Sequence, residues 1–216
     1  MPSQINEKLL KNILVIWGDS SKLLNTGAAA NDDLNAYYLD VLYKNVELAN
    51  VDNSKLKRFY GMGSNQFNVI SSQFSFHYFF ESEVKLDIFL TNVSTNLKKG
   101  GHFIGTCFDG SKVFDELKRN NGEFTVYEKG NLLVQIIKKY EDDILHDDST
   151  SIGMPINVYM ESIGKTITEW LVNFNFVAKK ALTYGLELKK LESFEDYHKK
   201  LGKSETKYGD SSKMTD

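Results

Sequence analysis

The 216-residue sequence predicts an α/β fold in which helices cover both faces of a mostly parallel sheet that carries an antiparallel edge. Three observations predict it. Ile13–Trp17 is a continuous apolar run closed by Gly18-Asp19, as in a strand buried on both faces. Phe67–Phe74, Val84–Leu97 and Phe103–Phe108 read as strand, helix and strand joined by a crossover. Glu123–Tyr127 and Leu132–Ile137, joined through Lys129-Gly130-Asn131, read as a hairpin at the edge.

After the first strand, Asn31-Asp32-Asp33 offers an N-cap with acid in the first turn. Leu34, Tyr37, Tyr38, Val41, Leu42 and Asn45–Ala49 continue it at helical spacing. The Gly61–Ser64 loop leads into Phe67–Phe74, whose β-branched and aromatic residues span a strand's length. Val84, Ile88, Phe89, Val93 and Leu97 recur at helical intervals, and Lys98-Lys99-Gly100-Gly101 supplies the cationic last turn and C-cap glycine. Beyond the hairpin, Ile156–Ile163 extends the antiparallel edge, and Thr168–Tyr184 is predicted as an amphipathic helix. The chain ends in polar sequence from Gly202 to Asp216, so a domain over 1–201 with a polar tail over 202–216 is expected.

Composition narrows the classes. With 41% hydrophobic and 12% aromatic residues the chain can bury one sizeable core. A balance of 26 basic against 29 acidic residues argues against sequence-independent gripping of a nucleic-acid backbone, so any nucleic acid should be held locally. The single cysteine, Cys107, cannot form an internal disulfide, and the four scattered histidines have no spacing for structural zinc. No stretch approaches the ~20 apolar residues of a membrane span.

Ligands of open α/β sheets sit at the carboxyl ends of strands, which directs attention to the loops after Trp17, Phe74 and Phe108. Asp19 and Ser20 could meet the edge of an adenine ring, or simply cap the next short helix. Gln73-Phe74-Ser75-Phe76-His77-Tyr78 mixes rings with an amide, a hydroxyl and an imidazole, as a pocket for a flat base requires. The simpler alternative puts Phe76, Phe79 and Phe80 in the core and makes His77 a structural histidine. Thr166 and Glu169 stand three apart before an apolar run, which a capping box would explain on its own.

Taken together, Asp19-Ser20-Ser21-Lys22, Gln73 through Ser82, Gly100 through Thr106, and Glu169 through Phe174 resemble the eukaryotic-type mRNA cap guanine-N7 methyltransferases, in that family's order. The insertion between Asp19 and Phe67, with Cys107 through Phe114, resembles the methyltransferase domains of large DNA virus capping enzymes. The likeness runs from about Asn12 to Phe194.

The resemblance implies a class I, Rossmann-like fold dependent on S-adenosylmethionine, without a metal. Asp19, Ser20 and Gln73 match residues on that methyl donor. Phe74, Ser75, His77 and Tyr78 match the wall of the cap-guanine pocket, and Glu169 matches the carboxylate that reads the guanine N1 and N2 donors. No acid–base residue is implied, since guanine N7 is already nucleophilic. The family's glycine-rich Asp-x-Gly-x-Gly loop does not occur in the sequence, nor does its final apolar strand with an aromatic near the cap, so the fold is expected to lack its first strands and its last. Two functions follow: a methyltransferase acting on capped mRNA beside other capping domains or subunits, or a noncatalytic subunit that stimulates such an enzyme. A viral enzyme would work in the cytoplasm, in a virus factory or virion, and a cellular one in the nucleus.

Overall fold

The structure, a computed structural model, describes residues 12–51 and 54–204. In chain order the helices and strands are α1 (Asp33–Tyr43), α2 (Ser54–Lys57), β1 (Phe67–Gln73), α3 (Glu83–Asn96), β2 (Leu97–Thr106), α4 (Gly110–Arg119), β3 (Glu123–Glu128), β4 (Asn131–Lys138), β5 (Pro155–Met160), β6 (Lys165–Trp170), α5 (Phe174–Leu182) and α6 (Phe194–Ser204). The predicted α/β class is what these elements form. Strands β1 and β2 make a parallel pair, and β3-β4-β5-β6 make a four-stranded antiparallel sheet.

The crossover is carried by α3. The Ser82 hydroxyl caps it by accepting from the Lys85 amide at 3.3 Å. Leu86, Phe89, Leu90 and Val93 then fall on one buried stripe, packed with Phe76, Phe79 and Phe80 and against Ile70 of β1 and Phe103 of β2. Each such burial contributes roughly 1.5–3 kcal/mol. A second core lies on the antiparallel sheet, where Ile136, Ile156 and Val158 meet Phe114 and Leu117 of α4. The β3–β4 turn has positive φ at both Lys129 (49°) and Gly130 (86°), the twist that a two-residue hairpin prefers.

Gly110 sets the relation between α4 and the end of β6. A Cβ there would lie 2.5 Å from the Val172 carbonyl oxygen, and the Gly110 amide donates to that same oxygen at 3.1 Å. The approach requires a glycine, and it brings the loop Cys107–Asp109 up to the site described below.

Four expectations are corrected. Ile13–Trp17 joins no sheet: its nearest ladder is a single bridge, Gly18 to Ala30, and Val15 is 77% exposed. A run apolar on both faces needs a strand on each side, and among the described residues it has none. The first helix stops at Tyr43 because Lys44 adopts a left-handed conformation (φ 63°), so Asn45–Ala49 does not prolong it. Lys98–Gly101 does not end a helix but forms a bulge inside β2, where the pairing jumps from Phe67–Leu97 to Val69–His102. The helix predicted over Thr168–Tyr184 is strand β6 followed by α5, whose cap is Asn173; its side chain accepts from the Asn175 and Phe176 amides. The β-branched alternation Thr166-Ile167-Thr168 fits a pleated strand and outweighs the capping-box spacing. Of the polar tail expected over 202–216, residues 205–216 lie outside the described residues, as do Met1–Lys11.

Candidate functional site

The 3-10 turn Phe76–Glu81, which follows β1, packs against β6. Phe74 opens the loop after β1 with φ at 50°, a left-handed conformation that is strained for a bulky residue. Its amide is held by two acceptors on β2, the Thr106 carbonyl oxygen at 2.9 Å and the Thr106 Oγ1 at 3.1 Å. Thr106 Oγ1 donates in turn to Gln73 Oε1 at 2.8 Å, and Gln73 Nε2 donates to Ser71 Oγ at 2.8 Å. This network over-determines the strained turn and leaves the Phe74 ring 65% exposed.

The next residues divide their faces. Phe76, Phe79 and Phe80 enter the core, as the simpler reading of the sequence has it, while His77 turns toward β6. Glu169 sits on β6 opposite Ile156, and its Oε2 lies 3.6 Å from His77 Nε2, too far for a hydrogen bond. Both residues are 6% exposed. Neither ring nitrogen of His77 has a hydrogen-bond partner among the described residues. Burial pushes the His77 imidazole down to about 4 and the Glu169 carboxyl up to about 7, so each is driven toward its neutral form. Thr166 is an exposed strand residue paired with Tyr159, and no capping box exists.

Tyr78 presents its ring edge-on to His77, with centroids 4.2 Å apart, and is 37% exposed. Burial, and then the Glu169 charge, raise its hydroxyl pKa. Burial, with Asp109 and Glu169, pushes the Cys107 thiol up to about 12, which makes it inert as a nucleophile. Asp109 is occupied as the cap of α4.

Asp19 and Ser20 lie elsewhere. Asp19 Oδ1 accepts from the Ser21 hydroxyl at 2.7 Å and the Ser21 amide at 2.9 Å, and these bonds hold its carboxyl below the usual range. Ser20 lines a cavity of about 480 Å³, together with Gly18, Ser72, Gln73 and Ser75. That volume suits a small-molecule ligand. His77, Tyr78 and Glu169 do not line it, so the candidate residues form two groups meeting at Gln73–Ser75.

Sequence reasoning missed Asn92. From the buried face of α3 its amide donates to the Ser20 carbonyl at 3.1 Å and the Lys22 carbonyl at 2.8 Å, and its oxygen accepts from the Leu24 amide at 3.1 Å. All three bonds fix the loop that carries Ser20 over the cavity. An asparagine between Phe89 and Val93 on the apolar stripe was the available signal.

Residues 41–216 match the family described as the mRNA (guanine-N(7))-methyltransferase domain. The chain belongs to this family. Among similar proteins, the mRNA cap guanine-N(7) methyltransferase of Drosophila melanogaster is 32% identical over 145 residues, covering 67% of this chain and 32% of that protein. That of Saccharomyces cerevisiae is 30% identical, covering 56% and 28%. A probable mRNA-capping enzyme of Acanthamoeba polyphaga mimivirus is 30% identical, covering 60% and 12%. The chain therefore spans about a third or less of these relatives. A solved S-adenosylmethionine-dependent methyltransferase from Clostridium acetobutylicum is 16% identical over 76% of this chain and 69% of that one, at a TM-score of 0.34, an overlap too slight to bear on the fold.

Proposed function

We propose that this chain holds the cap guanine in an mRNA cap guanine-N7 methyltransferase that uses S-adenosylmethionine. One observation supports the reading most: a buried, unpartnered His77 imidazole beside a buried Glu169 carboxyl, in a chain of this family. Burying polar groups without partners destabilises a fold by about 1–3 kcal/mol each, and a ligand with matching donors and acceptors recovers that energy. Guanine fits. Its N1 and N2 hydrogens can both donate to one ionised carboxylate, which makes Glu169 the reader of that edge. His77, uncharged at neutral pH, keeps one donor and one acceptor for the O6 or ribose side. Phe74 and Tyr78 are exposed enough to bear on the base plane.

S-adenosylmethionine supplies an electrophilic methyl on its sulfonium; the N7 lone pair forms the new bond as the carbon–sulfur pair returns to sulfur, with no proton transfer. The residues of this chain therefore act by positioning, an effect that can supply ~7 kcal/mol or more of a barrier. The cavity beside Ser20, Gln73 and Ser75 is the candidate seat of the methyl donor. Calorimetric titration with GpppA and ApppA tests the reading. Selective binding of GpppA supports it, and equal binding or no binding overturns it.

A further inference from the structure

The loop after β1 is not the only source of an exposed ring at this site. Phe194, the first residue of α6, lies with its centroid 5.9 Å from that of Phe74 and its plane within 24° of parallel. Both rings are largely in solvent, at 65% for Phe74 and 62% for Phe194. Each has a local reason to stay where it is. The strained turn and its Thr106 bonds fix Phe74. Phe194 follows the cap of α6, where Ser193 Oγ accepts from the Asp196 amide at 3.1 Å and donates to Asp196 Oδ2 at 2.8 Å. Thr183–Ser193, which connects α5 to α6, contains no regular element beyond a turn.

We infer that Phe74 and Phe194 are the two walls of one stacking slot, and that the cap guanine inserts between them; this rests on the function proposed above. A base between two rings needs two stacking gaps of about 3.4 Å, the spacing of stacked bases in a duplex. Centroids 5.9 Å apart are within the range of two rings in direct offset contact, so the pair must separate to admit the base, a movement that the irregular tether of α6 permits. Stacking on both faces is compatible with the chemistry, because the N7 lone pair lies in the plane of the base. The faces are free to be covered while the edge is read by Glu169 and N7 is left open to the methyl donor.

The test is calorimetric titration of the chain and its Phe194 variants with GTP, GpppA and ApppA, with melting curves alongside. Phe194→Ala should weaken both GTP and GpppA by about tenfold, from the ~1–3 kcal/mol of a base–aromatic stack. Its melting temperature should be unchanged, since the ring is exposed. Phe194→Trp should retain binding, whereas Phe194→Leu, which keeps apolar bulk without a flat face, should behave like alanine. Normal binding by Phe194→Ala, or rescue by leucine, overturns the inference. So does a loss with GpppA but not GTP, which would assign the ring to the second nucleotide. If Phe74→Ala loses binding while Phe194→Ala does not, the slot is wrong and the guanine reading stands. If the unsubstituted chain fails to prefer GpppA over ApppA, that reading fails and the slot falls with it.

Discussion

Replacing Glu169 with glutamine should make the protein more stable and less able to hold a cap. Burial raises the carboxyl from 4.5 to about 7, a difference of about 2.5 pH units, or roughly 3 kcal/mol at ~1.36 kcal/mol per unit. The folded chain binds the proton more tightly than the unfolded one, so Glu169 does not penalise stability below pH 4.5. The penalty grows as pH rises and is complete above about 7. Glutamine keeps the shape and removes the charge. After the amide's own desolvation, Glu169→Gln should gain about 1–3 kcal/mol at pH 8, which is about 2–12 °C in melting temperature for a chain of this size. The gain should vanish near pH 4.5. Cap binding should move the other way, falling about 30-fold or more as a charge-assisted pair becomes one hydrogen bond and one donor clash. In the unsubstituted chain, affinity should fall by up to about tenfold per pH unit below 7, because guanine needs the ionised form. Melting curves at pH 4.5 and 8 and cap titrations across that range decide it. A Glu169→Gln protein that is less stable at pH 8 would refute the reasoning, since it would mean that the carboxylate is charged and paired in the free protein.

His77→Gln should act on the acid side: burial depresses the imidazole to about 4, so this residue's contribution is present above 6.5 and lost as pH falls through 4. The variant should lose less stability than the parent between pH 6.5 and 4, as melting temperatures will show. Phe74→Gly should leave stability unchanged or raise it by up to about 1 kcal/mol by relieving the positive φ, yet weaken GpppA binding by roughly 1–3 kcal/mol. Chemical denaturation and calorimetry on one preparation separate those effects.

The parts of the fold that could be read from the sequence are those in which local pattern and tertiary use agree. Phe67–Gln73 and the Lys129-Gly130 turn each announce themselves within a few residues; α3 is legible as a helix, but its buried stripe is Leu86, Phe89, Leu90 and Val93, whereas Val84 is 67% exposed and Leu97 belongs to β2. Ile13–Trp17 misled because an apolar run states a need for neighbours without showing that they are present. Glu169 misled differently. Its spacing from Thr166 satisfies a helix rule, but cross-strand pairing with Tyr159 and Ile156 decides the conformation. Family likeness singled out His77 and Glu169, whereas their shared burial and the unpartnered imidazole are tertiary facts. Phe194 is recognised only through a partner distant in the chain, Phe74, while Asn92 signals itself as a polar residue on an apolar stripe but shows its role only through the distant Ser20 and Lys22.

The most direct measurement of the central claim compares a guanine cap with an inosine cap, which lacks only the N2 amine. If Glu169 reads N1 and N2 together, the unsubstituted chain should bind GpppA about tenfold or more tightly than IpppA, from the ~1.5–3 kcal/mol of a hydrogen bond to a charged group. Glu169→Gln should lose most of that preference. Equal affinity of the unsubstituted chain for the two caps would contradict the account.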